Sequence, residues 1–338
     1  MIKEAIAHLV DLKDLTSEEG TLVMNEILTG TATEAQIGAF LTAMRMKGEK
    51  NWEIAAFARV LRSQAVTVTP DLSGSLVDTC GTGGDASGTF NISTVAAIIT
   101  AAAGVPVVKH GNRGVSSRCG SADLLEELGI PLDMEPALMR QCVEKHGIGF
   151  FYAPLYHGAM RYAAGPRREV GIRTVFNLLG PLANPAGARA QLLGVYDPGL
   201  THTIAEVLAE LGTDRAMVVH GEGLDEITTT GKSVVSELNR GEIFDYTIDG
   251  TLLGIPRADR RDLAGGGPAE NARILRNILA GEEGPRRDIS VLNAGAAIYI
   301  GGHAGDLARG ARLAEEAIDS GHAQQKLEDL VGFTRRGR

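Results

Sequence analysis

Two glycine-rich stretches of the chain carry groups that could bind phosphate. The first is DTCGTGGD at residues 78–85, which continues into TFNIST at residues 89–94, and the second is KHGNR at residues 109–113. Each follows an apolar run typical of a strand and precedes a run typical of a helix. Helix N-termini bind anions through unpaired N–H groups and the helix dipole, and glycine lets the backbone approach a phosphate closely. The two stretches therefore predict a site for a phosphorylated sugar.

The first stretch is a weak signal when it is taken alone. An ordinary glycine turn would explain residues 81–85 equally well, and they match neither the P-loop nor the dinucleotide-binding fingerprint. The residues that follow strengthen the prediction, because Asn91 and Ser93 stand where a helix N-cap is expected and Thr94 would begin the helix. A hydroxyl at that position can cap the helix, bind phosphate or bind a metal-bound water.

The second stretch places two cations and an amide, Lys109, Arg113 and Asn112, after a buried strand. That edge of an open α/β sheet is where ligands bind. An exposed basic loop is the alternative, and His110 on its own indicates nothing. The hydroxyls that follow favour the binding site, and they belong to Ser116, Ser117 and Ser121.

An acidic pair, Asp225 and Glu226, follows the predicted strand 215–220 and the turn GEG. Neighbouring carboxylates on a strand would face opposite ways, so a loop is needed for them to converge. Magnesium prefers a few carboxylates together with water and phosphate oxygens. Beside a phosphate site the pair predicts a magnesium ligand set, although such a pair in isolation is more often a solvated turn.

Arg167 stands near the start of a helical segment, after Gly165 and Pro166. Arginine binds a carboxylate through two parallel hydrogen bonds. If that segment packs with the N-terminal helices, Arg167 would face the phosphate loops across a cleft. A surface arginine at a helix start is the alternative reading.

Composition excludes several classes of protein. The 338 residues carry a formal charge of −9, whereas a nucleic-acid-binding protein needs a basic surface, and only 4% of residues are aromatic. Three widely spaced cysteines form neither a zinc pattern nor a disulfide framework. The N-terminus resembles an amphipathic helix more than a signal peptide, and the most apolar run, residues 95–108, is too short to span a bilayer. We expect a cytoplasmic protein with neither nucleic-acid nor membrane partners.

The order of predicted elements indicates an α/β fold with two domains. Residues 1–65 contain four short helices, with Thr16 and Glu19, and Thr33 and Gln36, as capping boxes. After a linker at 66–75, strands and helices alternate, which predicts a mainly parallel central sheet. The predicted parallel strands are Leu76–Asp78, Val105–Lys109, Gly149–Tyr152, Gln191–Val195 and Arg215–His220.

Two segments interrupt this alternation. Residues 159–179 read as one or two helices, with Pro166 at a helix start and Gly180-Pro181 at the stop, and we expect them to complete the helical domain. Residues 227–230 and 233–238 read as a hairpin around Gly231-Lys232. The expected domains are 1–65 completed by about 159–182, and an α/β domain of 76–158 and 183–338.

These motifs, taken in order, resemble the anthranilate phosphoribosyltransferase family over nearly the whole chain. The likeness also includes GIRT at 171–174, NLLGPLANP at 177–185 and HG at 220–221. The resemblance implies a small helical domain, a larger α/β domain of the nucleoside phosphorylase and phosphoribosyltransferase type, a cleft between them, and a homodimer formed through the helical domains. It further implies transfer of phosphoribosyl from 5-phosphoribosyl 1-diphosphate to the amine of anthranilate, with Mg2+ as cofactor.

The resemblance also implies roles for particular residues. Magnesium would be held by Ser93, Asp225 and Glu226, and anthranilate would contact Gly81, Asn112 and Arg167, with no dedicated catalytic base. The phosphoribosyl diphosphate ligands would be Gly81, Gly84, Asp85, Thr89, Asn91, Ile92, Ser93, Thr94, Lys109, His110, Gly111, Asn112, Arg113, Ser116, Ser117 and Ser121. The alternatives are a pyrimidine nucleoside phosphorylase, which would not need the acidic pair, and a non-catalytic nucleic-acid-binding relative, which would need a basic groove.

Overall fold

A computed structural model describes residues 1–85, 87–114 and 118–336. Four short helices form the N-terminus, and two of them begin at the predicted capping boxes. The Thr16 side chain accepts the Glu19 N–H while the Glu19 carboxylate accepts the Thr16 N–H, and Thr33 and Gln36 repeat this pattern. The helices are α1 (Ile2–Val10), α2 (Ser17–Leu28), α3 (Glu34–Lys47) and α4 (Asn51–Ser63).

A later helix, α9 (Arg161–Val170), packs against α2 and α3. Its buried Ala163 belongs to the same apolar cluster as Phe40 and Phe57, whose rings meet edge to face. The prediction that Pro166 begins a helix is wrong, because α9 runs through five residues before it. The helix tolerates the proline although it removes one backbone hydrogen bond.

A seven-stranded sheet forms the centre of the larger part of the chain, in the order β3-β2-β1-β4-β5-β6-β7. The five predicted strands are present, parallel, and each begins within two residues of its predicted start. The last two strands extend the sheet antiparallel. The strands are β1 (Val77–Gly81), β2 (Val107–Gly111), β3 (Ile148–Tyr152), β4 (Ala190–Gly194), β5 (Arg215–Gly221), β6 (Lys232–Asn239) and β7 (Glu242–Asp249).

Helices cover both faces of the five parallel strands, which are therefore buried on both sides, whereas β7 is largely exposed. Leu192 packs into one apolar cluster with the C-terminal helices, and the next residue, Leu193, packs into the cluster that contains the N-terminal helices. The remaining helices are α5 (Ile92–Ala102), α6 (Ser121–Glu127), α7 (Pro136–His146), α8 (Ala153–Tyr156), α10 (Phe176–Leu179), α11 (Thr201–Glu210), α12 (Pro268–Leu279), α13 (Pro285–Ile300), α14 (Leu307–Asp319) and α15 (His322–Arg336). None of the helices in the described residues combines the length and apolarity that crossing a bilayer requires.

The predicted hairpin is wrong in its turn and in its first strand. The turn is Arg240-Gly241, and both residues have positive φ, +51° and +92°, as a type I′ turn requires. The residues predicted as the first strand form a loop, because the backbone N–H and carbonyl of Ile227 pair with the side chain of Asn293 and not with a strand.

Candidate active site

The ends of β1 and β4 lie next to each other at the centre of the sheet. From β1 the chain builds outward through β2 to β3, whereas from β4 it builds the other way to β5. Such a reversal of strand order opens a crevice outside the carboxyl ends of the strands, where α/β folds bind ligands. The last residues of the two strands, Gly81 and Gly194, are paired in register.

Asp225 lies directly over these two glycines. A Cβ atom added to Gly81 would collide with the carboxylate of Asp225, and one added to Gly194 would collide with its backbone. The same carboxylate accepts a 2.8 Å hydrogen bond from the N–H of Gly83. The glycines at these strand ends are therefore required by the close approach of the loop that follows β5.

The second member of the acidic pair contacts the first turn of α5. The Glu226 carboxylate accepts a 3.0 Å hydrogen bond from the Ser93 N–H, and the Lys109 ammonium donates to the Ser93 hydroxyl at 3.2 Å and to the Thr79 carbonyl at 2.5 Å. Loops and strand ends from β1, β2 and β5 thus meet at one point, as the sequence predicted for the acidic pair and the phosphate loops.

The N-cap prediction for α5 is confirmed for Asn91, but the helix begins at Ile92 and not at Thr94. The Asn91 side chain does not cap the helix. Its amide donates to the Cys119 carbonyl at 3.0 Å, and its oxygen accepts from Asn271 at 2.8 Å. Asn91 therefore ties the start of α5 to the loop before α6 and to α12.

The charges at this point are unbalanced. Burial and the neighbouring Asp85 raise the pKa of Asp225 to about 7, and burial together with Asp225 raises the pKa of Glu226. Burial lowers the pKa of Lys109, the nearest buried cation. Asp78 is also buried and interacts with Lys109, so four carboxyl groups lie near one ammonium, and a divalent cation would stabilise this set.

The side chains at this point suit magnesium better than a metal ion whose ligands all come from the protein. Within residues 1–85, 87–114 and 118–336, no group of three or more histidine, cysteine or acidic side chains is arranged to hold a metal by itself. Magnesium commonly takes one or two carboxylates and completes its shell with water and substrate phosphate. Asp225, Glu226 and the Ser93 hydroxyl are suited to that role.

Hydrogen bonds and ion pairs hold the KHGNR loop against α6. The Arg113 guanidinium donates to Asp123 and Glu126 at 2.9 Å each, and Asp123 also accepts the N–H groups of Gly114 and Gly120. The Ser121 hydroxyl donates to the Asn112 carbonyl at 3.3 Å. In this arrangement Arg113 binds acidic side chains of the protein itself, which leaves fewer of its N–H groups for the predicted contact with substrate. Ser116 and Ser117 lie outside the described residues.

His110 is held as a neutral side chain. Its Nδ1 lies 3.2 Å from the Gly180 carbonyl, and its ring packs against His157 with centroids 5.0 Å apart. Burial lowers the pKa of His110 to about 3 and that of His157 to about 4. His110 therefore contributes no positive charge to a phosphate site near neutral pH.

Arg167 lies on α9, with its guanidinium 5.3 Å from the centroid of the Phe176 ring. It is half-buried, and burial lowers its pKa. Arg173, which sequence reasoning left without a role, donates to the Gly84 carbonyl and stacks on the Tyr196 ring. Its position in the GIRT segment was the one signal for it.

The remaining predicted ligands lie along the first loop and the first turn of α5. The Asp85 carboxylate accepts the Ser87 N–H at 3.2 Å, and the Thr89 and Ser87 hydroxyls are 3.1 Å apart. Ile92 and Thr94 are buried. Gly84 has a positive φ, and Gly111, the last residue of β2, lies in close contact with Ser121 and Phe150.

Two models of one protein family match most of this chain. Residues 73–324 match the model of the glycosyl transferase family a/b domain, and residues 3–65 match the helical bundle domain of the same family. The anthranilate phosphoribosyltransferase of Methanocorpusculum labreanum is 57% identical over 98% of this chain and 97% of its own length. The chain belongs to the anthranilate phosphoribosyltransferase family.

Solved structures of that family share the fold of this chain. The anthranilate phosphoribosyltransferase of Thermus thermophilus is 44% identical, with a TM-score of 0.93 over 98% of this chain and 99% of that one. The Saccharomyces cerevisiae enzyme, solved in complex with phosphoribosyl diphosphate and Mg, is 28% identical, with a TM-score of 0.89 over 99% and 98% of the two chains. The yeast enzyme has also been solved with 4-fluoroanthranilate.

Proposed function

We propose that this chain transfers the phosphoribosyl group of 5-phosphoribosyl 1-diphosphate to the amine of anthranilate and releases pyrophosphate. The observation that carries the proposal is the convergence of Asp225 and Glu226 on Gly83 and Ser93 at the reversal of the sheet. This arrangement puts an acidic pair on the glycine-rich loop and on the first turn of α5, where magnesium bound to a diphosphate would lie. The yeast relative in complex with phosphoribosyl diphosphate and Mg supports the same assignment.

We assign the substrate diphosphate to the loop at residues 81–85 and to the start of α5. The phosphoribosyl group would extend towards residues 109–113 and Ser121, and Arg167 would bind the carboxylate of anthranilate. Magnesium would be held by Ser93, Asp225 and Glu226. When bound, it would neutralise charge that develops on the departing pyrophosphate.

The reaction needs positioning and charge stabilisation more than a strong base. The amine nitrogen forms a bond to the anomeric carbon as the bond from that carbon to the diphosphate oxygen breaks, and the electron pair leaves with pyrophosphate. The nitrogen then loses a proton to water. Arg167 orients the acceptor, while Lys109 holds the Ser93 hydroxyl and the end of β1 in place. Fixing two reactants in this way removes much of the entropic barrier.

A fluorescence assay tests the proposed function. When the protein is mixed with anthranilate, phosphoribosyl diphosphate and Mg2+, the fluorescence of anthranilate should decrease. Without phosphoribosyl diphosphate, or without Mg2+, the fluorescence should stay constant. The competing nucleoside phosphorylase activity would instead split a pyrimidine nucleoside with phosphate. Phosphorolysis without anthranilate consumption would overturn the proposal.

Three further expectations accompany this proposal. The domain boundaries, with residues 159–182 assigned to the helical domain, stay a prediction, supported by the packing of α9 on α2 and α3. The homodimer and the cytoplasmic location also stay predictions. The exposed apolar side chains of the N-terminal helices support the dimer.

A further inference from the structure

Arg173 reaches the first phosphate loop from the segment between α9 and α10. Its guanidinium donates to the carbonyl of Gly84, and its Cζ lies 4.5 Å from the centroid of the Tyr196 ring. Gly84 has φ of +76°, and a Cβ added there would lie 3.2 Å from Nε of Arg173. The positive φ favours glycine at this position, and a larger side chain there would also crowd the guanidinium of Arg173.

Tyr196 holds the same loop at a second point. Its backbone N–H donates to the Thr82 hydroxyl at 3.1 Å, while the Thr82 N–H donates to the Gly194 carbonyl at 2.9 Å. The ring of this tyrosine is the surface on which Arg173 stacks. Successive residues of the loop are thus held by different elements: Thr82 by the end of β4 and Tyr196, Gly83 by Asp225, and Gly84 by Arg173.

Three cations were predicted for the site from the sequence, and none of them contacts the loop at residues 81–85 in the way that Arg173 does. Lys109 donates to Thr79 and Ser93, Arg113 pairs with Asp123 and Glu126, and Arg167 packs over Phe176. Arg173 contacts the loop itself. The hydrogen bond to the Gly84 carbonyl restrains the loop, and the stacking on Tyr196 fixes the plane of the guanidinium that makes it.

We propose that Arg173 is a positioning residue that fixes the loop at residues 81–85 in the conformation that receives the diphosphate. The inference rests on the proposed function. Arg173 comes from the segment that follows α9, which packs on the N-terminal helices, so it joins that side of the cleft to the phosphate loop. Its loss should weaken binding of phosphoribosyl diphosphate and leave the anthranilate contacts intact.

Arg173→Ala, Arg173→Lys and the control Arg168→Ala test the inference. Arg168 is an exposed arginine five residues earlier, so its removal changes the net charge equally. For Arg173→Ala we expect the KM for phosphoribosyl diphosphate to rise about tenfold, as for loss of one charge-assisted hydrogen bond. The KM for anthranilate should change less than about twofold, and lysine should restore part of the loss because it keeps the charge and a donor.

Calorimetric titration with phosphoribosyl diphosphate and Mg2+ provides a second readout that needs no acceptor. Binding by Arg173→Ala should be about tenfold weaker than by wild type, and binding by Arg168→Ala should be unchanged. Tyr196→Leu, which removes the ring, should weaken binding in the same direction. Equal effects of Arg173→Ala and Arg168→Ala, or unchanged diphosphate binding in a folded Arg173→Ala protein, would overturn the inference. A wild type that binds this ligand but never consumes anthranilate would overturn the proposed function instead.

Discussion

The carboxylate of Asp225 accepts a hydrogen bond from the N–H of Gly83, a residue that precedes it by 142 positions in the chain. This contact places Asp225 on the glycine-rich loop at residues 81–85, and it depends on Gly81 and Gly194, which leave room for Asp225 at the ends of β1 and β4. The order of the strands thus brings together residues that are far apart in the chain. Separation in sequence therefore does not reveal which residues share the site.

The acidic pair should be needed both for magnesium binding and for turnover. Asp225→Asn with Glu226→Gln removes two carboxylates from the proposed metal site, and we expect kcat/KM to fall at least about a hundredfold, because metal stabilisation of a leaving group contributes several kcal/mol. Calorimetry should also show weaker Mg2+ binding in the presence of phosphoribosyl diphosphate. Glu315→Gln with Glu316→Gln, an exposed acidic pair on α14, is the control with the same change of charge. Normal magnesium dependence in the Asp225 and Glu226 variant would contradict the assignment.

Arg167 should recognise the carboxylate of the acceptor. Arg167→Ala should raise the KM for anthranilate at least about tenfold, since a charge-assisted hydrogen bond contributes about 1.5–3 kcal/mol. The KM for phosphoribosyl diphosphate should change far less. Steady-state kinetics measure both constants, with Arg168→Ala as the neighbouring control. Equal changes in the two constants would mean that Arg167 shapes the cleft without binding the acceptor.

The buried histidine pair should make the fold sensitive to acid. Burial lowers the pKa of His157 to about 4, so the unfolded chain takes up a proton near pH 6.5 that the folded chain does not. The stability that comes from the neutral ring is complete above that pH and is lost as the pH falls towards 4. The free energy of unfolding of wild type, relative to His157→Gln, should therefore fall by about 1 kcal/mol between pH 6.5 and 5.5.

Urea unfolding at several pH values measures this difference. His322→Gln, which changes an exposed histidine on α15, is the matched control. The carboxyl groups with raised pKa act in the opposite direction, but they are common to both proteins and cancel in the comparison. A difference between wild type and His157→Gln that stays constant with pH would show that His157 is not held neutral in the folded state.

The N-terminal helices should form a dimer interface. Val10, Leu12 and Met46 on these helices and their connections are 67%, 68% and 78% exposed. Pairing with a second copy would bury them, and a twofold interface is the commonest arrangement for a soluble oligomer. Sedimentation at micromolar concentration should give about twice the chain mass. Met46→Glu should favour the monomer, whereas Leu252→Glu, at an exposed leucine outside the bundle, should not; a wild-type monomer with full activity would contradict the prediction.

Local signals in the sequence predicted the local features of the fold. The capping boxes at Thr16 and Thr33 start their helices as expected, because capping depends on residues three positions apart. The hairpin was misplaced because Gly231 resembles a turn residue, while the actual turn at Arg240-Gly241 leads into β7, whose residues are largely exposed. Pro166 was misplaced because its usual position at helix starts is a statistical preference that packing can override.

The site was predictable in its residue types but not in its contacts. Glycines, hydroxyls, cations and an acidic pair are visible in sequence, and the acidic pair does converge with the glycine loop. The pairing of Arg113 with Asp123 and Glu126, and the approach of Arg173 to Gly84, depend on tertiary packing that no local pattern encodes.

The ratio of pyrophosphate released to anthranilate consumed tests the central claim most directly. Transfer of the phosphoribosyl group to the amine breaks one bond to diphosphate for each bond formed to nitrogen. We predict a ratio of one, within error, throughout the reaction with phosphoribosyl diphosphate and Mg2+. Pyrophosphate release that continues at the same rate without anthranilate, or consumption of anthranilate without pyrophosphate, would contradict the account.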